Sequence, residues 1–180
     1  MAKDHAYSTQ AEVDKDEREL QGLVVELQQM QAEGEQRMAR MEGEIGEAFA
    51  LLDEAVRLNV GDFFPDLRPI AARRARLSIL QRDWAAVERW QRQSGVTADM
   101  PPSHAREYEQ VTLARSLLAQ GQAGAAKALL ARLMPPAQLG GRQSVVAELD
   151  ILDALASDAM GEATAAQAAL RRALEICEAS

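Results

Sequence analysis

The sequence predicts an all-α protein, a right-handed solenoid of about three to four antiparallel helix pairs with an extra N-terminal helix. Three observations predict it. The composition is rich in Ala, Leu, Glu, Gln and Arg with only 4% aromatic residues, so helix formers dominate and strand formers are scarce. The stretch REYEQVTLARSLLAQGQAGAAKALLARL (106–133) carries apolar residues at helical spacing on both sides of Gly121. That pattern then recurs along the chain at intervals of 39 or 40 residues.

Within 106–133, Val111, Leu113, Ala114, Leu117 and Leu118 keep one helical face up to Gln120, and Ala125, Ala126, Leu129, Leu130 and Leu133 resume it. Gly121 stands where a helix needs a left-handed cap. Aligning on that position gives the series Gly43, Arg82, Gly121 and Gly161. Seven residues before each stand Gln36, Ala75, Ala114 and Ala154; five after stand Ala48, Val87, Ala126 and Ala166. Nine after come Leu52, Gln91, Leu130 and Leu170, and twelve after come Ala55, Ser94, Leu133 and Ala173. Small residues at the first two positions let the helices of a hairpin approach, and a large residue at the third fills the groove against the next hairpin. The first unit fits worst before its turn.

From Glu12 the chain is helical in composition. A heptad through Leu20, Val24, Leu27, Gln31, Gly34, Met38, Met41, Ile45, Ala48 and Leu52 is broken by Gln31 and Gly34, which favours an amphipathic helix ending near Gly43 over a continuous coiled coil. The six prolines, in pairs at 65 and 69, 101 and 102, and 135 and 136, are expected to separate hairpins at about 20–58, 70–94, 104–133 and 143–178. The domain division expected is an acidic tail and helix over 1–42 and a repeat domain over 43–180.

At 47% hydrophobic residues and a mean hydropathy of −0.26 the chain has the balance of a soluble protein. No run approaches the roughly 20 apolar residues that span a bilayer, and the first residues have no apolar signal segment, so a cytoplasmic location without membrane contact is expected. Cys177 is the single cysteine, which excludes an intramolecular disulfide. Residues 1–60 hold 6 Lys and Arg against 14 Asp and Glu, whereas 61–180 hold 14 of each. The net charge of −8 therefore lies in the first third, and no basic excess exists to coat nucleic acid.

The wording of the repeats carries a resemblance. GDFFPDLRPIAARRARLSILQRDWAAVERWQRQSGV (61–96), REYEQVTLARSLLAQGQAGAAKALLARL (106–133) and GRQSVVAELDILDALASDAMGEATAAQAALRRALEICE (141–178) follow in order. Together they resemble the C-terminal part of the helical sensor region of MalT-like regulators, the large ATP-binding LuxR-type transcription activators of bacteria. The resemblance covers about residues 46–178 and implies a right-handed superhelix like that of tetratricopeptide repeats (TPRs), stretched from the usual 34 residues. It also implies signal sensing, through a small-molecule inducer or a protein partner that controls self-association. No G-x-x-x-x-G-K-[ST] motif occurs, so this chain carries no P-loop ATPase role, and a helix-turn-helix is expected after such a region, where this chain stops at Ser180. A stand-alone TPR scaffold or adaptor that bridges or titrates other proteins is the second reading.

In a TPR superhelix the first helix of each pair lines the concave face. Six residues before each turn lie Arg37, Arg76, Arg115 and Leu155, an arginine stripe interrupted only in the last unit; thirteen before the later two turns lie Tyr108 and Glu148. Guanidinium forks suit carboxylates and phosphates, so Arg76, Tyr108, Arg115 and Glu148 form the candidate ligand- or partner-binding face. The alternative is that these arginines pair with Glu107, Glu109, Glu148 and Asp150 and only fix the stacking of repeats. Arg68, Arg73, Arg74, Arg76, Arg82, Arg89 and Arg92 crowd into 25 residues. They form a solvated surface or a dock for the acidic residues 12–54. Trp90 falls at a core position and Trp84 at a partly exposed one, while Phe63 and Phe64 are expected to plug the space between repeats. His5 and His104 are isolated, so no catalytic residue, metal site or cofactor is expected. A homo-oligomer or partner contact is expected at a terminal face, because a solenoid end without a polar cap leaves apolar surface open.

Overall fold

The computed structural model describes residues 33, 36, 37, 39–57 and 67–178. Helix α1 has its described run at 39–57. It is followed by α2 (Ile70–Leu80), α3 (Trp84–Ser94), a 3₁₀ turn at His104–Arg106, α4 (Glu107–Ala119), α5 (Ala123–Leu139), α6 (Gln143–Ala159) and α7 (Ala163–Glu178). Among the described residues there is no strand. The fold is an all-helical, TPR-like repeat.

The chain divides into two compact units, one up to Ala50 and one from Leu51. In the first, the described residues are helical and largely exposed, with Arg40 donating to Glu44 one turn on at 3.0 Å. The second unit holds the repeats. Helices α2/α3, α4/α5 and α6/α7 pair as antiparallel hairpins, α2 packs on α4 and α4 on α6, and α5 packs on α6. That is the solenoid arrangement in which each first helix touches the first helix of the next unit.

The hairpin turns share one geometry. At Gly121 the backbone φ is 75°, its N–H donates to Leu118 O at 2.9 Å, and the Gln122 N–H reaches back to Leu117 O at 2.8 Å. Gly161 repeats this with φ 77° and bonds of 2.9 Å to Asp158 O and 2.8 Å from Glu162 to Ser157 O. These are Schellman closures, which satisfy the last carbonyls of a helix through one left-handed residue. Arg82 performs the same closure at φ 58°, the one non-glycine residue with positive φ among those described. Asp83 then caps α3, its carboxylate accepting from the Ala86 N–H at 3.0 Å.

The register read from sequence is visible in burial. Ala75, Ala114, Val87 and Ala126 are all buried at the helix contacts, and Leu129, Leu130 and Leu133 fill the core behind them. Each of these leucines contributes about 1.5–3 kcal/mol by leaving water. Trp90 is buried and Trp84 packs half-buried against the same core, as expected.

Two sequence expectations are corrected. Gly43 lies inside the continuous helical run 39–57, so no hairpin turn stands there and the helix does not end at that residue. A single glycine costs a helix only about 1 kcal/mol, too little to break it without a capping context. Pro135 and Pro136 lie inside α5 rather than between hairpins. Each removes one amide donor near the helix end, yet the turn beyond them is closed by Gly140 N–H to Pro136 O at 3.1 Å and by Arg142 Nη2 to the same oxygen at 2.8 Å. Pro101 and Pro102 do lie between hairpins. The loop there is pinned by backbone acceptors: Arg132 donates to Asp99 O at 2.9 Å and Met100 O at 2.8 Å, and Gln110 Nε2 donates to Pro101 O at 3.2 Å. Phe63, Phe64, Pro65 and His5, and the heptad up to Gly34, lie outside the described residues.

Candidate functional site

The four residues singled out from sequence come together on the face built by the first helices. Arg76 projects from α2, Tyr108 and Arg115 from α4 and Glu148 from α6. Tyr108, Thr112 and Arg115 stand at i, i+4 and i+7 on α4, which places them on one helical face. The Arg76 guanidinium lies 3.9 Å over the centre of the Tyr108 ring. Its Nε donates to Thr112 Oγ1 at 3.0 Å, and that hydroxyl donates in turn to Tyr108 O at 2.7 Å. Arg76 Nη1 reaches Glu148 Oε1 at 2.9 Å, and Arg115 Nε donates to the same oxygen at 2.9 Å.

Burial lowers the pKa of Arg76, opposed by Glu148 and Tyr108, while Arg115 adds to the lowering. A guanidinium still keeps its proton at neutral pH. Two cations therefore share one carboxylate, and the cluster carries a net positive charge on the groove wall. Arg76 Nη2 is buried with no acceptor among the described residues.

Two grooves meet at Arg76. One, of about 540 Å³, runs past Tyr108, Glu148, His104, Glu107 and Arg142. Arg142 forks both oxygens of Glu107 at 2.7–3.0 Å, so this wall is closed by a bidentate ion pair. The other, of about 550 Å³, is lined by Arg76 and Arg115 and otherwise by Ile79, Leu80, Leu118, Leu152 and Leu155 with two alanines.

Of the four acids weighed as structural partners, only Glu148 takes Arg76 and Arg115. Glu107 is held by Arg142, Glu109 by Arg106, and Asp150 by Arg172 at 2.6 Å. Arg37 is helical and exposed in the first unit, and the turn that would have aligned it with the stripe does not occur. In the arginine-rich stretch Arg74 pairs with Asp53 and Arg92 lies 3.7 Å from Glu88, so part of that cluster is met by acids within the second unit. His104 Nδ1 is 3.7 Å from Glu107. Among the described residues no group of three metal-ligating side chains converges, and no helix is long and apolar enough to cross a membrane.

The sequence reading missed Thr112, which locks Arg76 in place, and the apolar half of the groove. Thr112 had a signal in its position one turn after Tyr108. Leu155 had a sharper one, as the aliphatic residue at the arginine position of the stripe.

Comparison with curated proteins and with solved structures returns no match. The family model describing the MalT-like TPR region matches residues 18–180, nearly the whole chain. The order of repeats, their Schellman turns and the stacked first helices agree with that match, and the chain belongs to the MalT-like TPR region family.

Proposed function

We propose that this chain is the signal-sensing and protein-interaction module of a MalT-like transcriptional regulator. It works by binding a small-molecule inducer or a protein partner on the face of its first helices, in the cytoplasm of a bacterium, without catalysis and without touching DNA itself. The observation that carries this reading is the convergence of Arg76, Tyr108, Arg115 and Glu148 from three consecutive first helices onto one face, where two grooves meet at Arg76. A ligand bridging those helices changes the curvature of the solenoid, because it acts where Arg76 of the first hairpin already reaches across α4 to Glu148 of the third. The test is a thermal-shift screen of sugars, acyl metabolites and nucleotides against the chain and against Arg115→Ala. A ligand that stabilises the parent, with Arg115→Ala melting normally but unresponsive, supports the groove; equal loss of folding in the variant counts against it.

Self-association belongs to the same proposal. Leu130 and Leu170 occupy the same repeat position, yet Leu130 is 1% exposed and Leu170 is 48% exposed. With Leu174 it forms an apolar stripe on α7. A second copy or a partner helix on that stripe fits the role Leu130 plays against α6. Light scattering at high micromolar concentration checks it: a dimer that Leu170→Glu reduces to monomer is expected, and a strictly monomeric parent sinks the idea.

A further inference from the structure

We infer that the apolar groove between Arg76, Arg115 and the leucines of α2, α4 and α6 is a site for an aliphatic carboxylate, an anionic head joined to an unbranched chain of about eight to ten carbons. The inference deepens the groove reading above and rests on it.

The lining decides the class of ligand. Around this groove of about 550 Å³, the polar side chains are the two guanidiniums, and the rest is aliphatic. Leu80 and Leu155 rim it at 66% and 56% exposed, and Ile79, Leu118 and Leu152 form its floor. The volume lies in the ordinary range for a small-molecule site. A sugar or nucleotide buried here would lose water from many hydroxyls and find no acceptor for them, since both polar groups present are donors only. A carboxylate asks for donors alone and brings one charge.

The electrostatics agree. Glu148 lines the neighbouring groove but not this one, and it offers a single oxygen to both arginines. Arg115 donates only its Nε there, and among the described residues neither of its Nη groups has an acceptor. The terminal fork of Arg115, on a side chain 39% exposed, is thus an unused bidentate donor at the mouth of an apolar trough. From the arginine position to Leu80 and Ala119 is four residues along the helix, about 6 Å, and a neighbouring first helix lies about 10 Å across, a diagonal of about 12 Å. A chain of eight to ten carbons spans that distance.

Titration calorimetry with decanoate, decanol and decylammonium, each below its aggregation concentration, tests the assignment on the full chain. Decanoate is expected to bind once per chain with a Kd of about 0.1 mM, and decanol and decylammonium at least about tenfold more weakly. Arg115→Gln is expected to weaken decanoate about tenfold while leaving decanol unchanged, and Leu155→Ser to weaken both about fivefold. Both side chains are solvent-accessible, and the melting curve of each variant separates loss of the site from loss of the fold. Equal affinity for decanoate and decanol, or no effect of Arg115→Gln, overturns the proposal. So does binding of a leucine-terminated peptide acid where decanoate fails. A sugar or nucleotide that binds and is lost in Arg115→Gln, with decanoate silent, overturns the ligand class and leaves the sensing module standing.

Discussion

Arg76 and Arg115 stand 39 residues apart, one repeat length, and meet on a single atom: Nη1 of the first and Nε of the second each lie 2.9 Å from Glu148 Oε1. The repeat thus stacks two like charges, and one acid from the third unit holds them. The carboxylate is the hinge pin of the first-helix face, joining α2, α4 and α6.

Glu148→Gln is therefore expected to cost more than the loss of Arg115. It leaves two guanidiniums facing one another without a counter-charge. Full burial of such a pair would put the cost at about 3–5 kcal/mol, and partial exposure reduces it to about 2 kcal/mol. Arg115→Gln removes the more exposed partner and one of the two like charges, so about 0.5 kcal/mol is expected. Urea unfolding of the two variants side by side checks the order; an Arg115→Gln protein less stable than Glu148→Gln would contradict it.

Arg82 is in the left-handed conformation that Gly121 and Gly161 occupy in the equivalent turns. An L-residue with a β-carbon pays about 1 kcal/mol there. Arg82→Gly is expected to raise stability by about that amount, or about 2–4 °C in Tm for a chain of this size. The side chain is exposed, so nothing of the core is lost with it. An unchanged or lower Tm, measured by circular dichroism, would show that the arginine makes a compensating contribution.

Ala126 sits at the small-residue position after the Gly121 turn and is fully buried, as Val87 is in the unit before. Leucine there adds three carbons to a helix contact with no spare volume, so Ala126→Leu is expected to destabilise by about 1–3 kcal/mol. Ala166→Leu, at the same position in α7 but only half-buried, is expected to cost less. Equal losses would mean that the repeat position does not govern packing.

How far the sequence was legible follows from which forces act locally. Schellman turns at Gly121 and Gly161 and the buried alanines Ala114, Ala126 and Ala154 beside them follow from backbone geometry and volume, and both could be read from spacing alone. Arg82 was placed correctly because its neighbours kept the register even though its own residue type did not suggest a turn. Gly43 failed for the opposite reason: a glycine at the right interval has no capping power without a hairpin to close. Pro135 and Pro136 failed because the rule that proline ends a helix is a local rule. The side chain that supports the turn beyond them, Arg142, sits in the next helix's approach. On the site, periodicity put Arg76, Tyr108, Arg115 and Glu148 on one face, but not which arginine meets which acid. That depends on the lateral offset between helices, which sequence spacing does not contain. Thr112 was passed over because a threonine in mid-helix ordinarily bonds back to its own turn, as it does to Tyr108 O, and the second bond to Arg76 comes from another repeat.

Arg142 gives the sharpest test of what holds neighbouring repeats together. Its fork takes both oxygens of Glu107, whose side chain is only 10% exposed, and one Nη also serves Pro136 O at the end of α5. Removing it strands a buried carboxylate and takes from Pro136 O one of its two donors, leaving only the Gly140 N–H. Arg142→Ala is expected to cost about 3 kcal/mol. Arg142→Lys should recover only part of it, since an ammonium cannot make the two-point contact. The paired variant Glu107→Gln/Arg142→Ala removes the stranded charge and is expected to be more stable than Arg142→Ala alone by about 1–2 kcal/mol. Chemical denaturation of the single and double variants decides it. If the double variant is no more stable than Arg142→Ala, the cost lies in the lost bond to Pro136 O rather than in the stranded charge of Glu107.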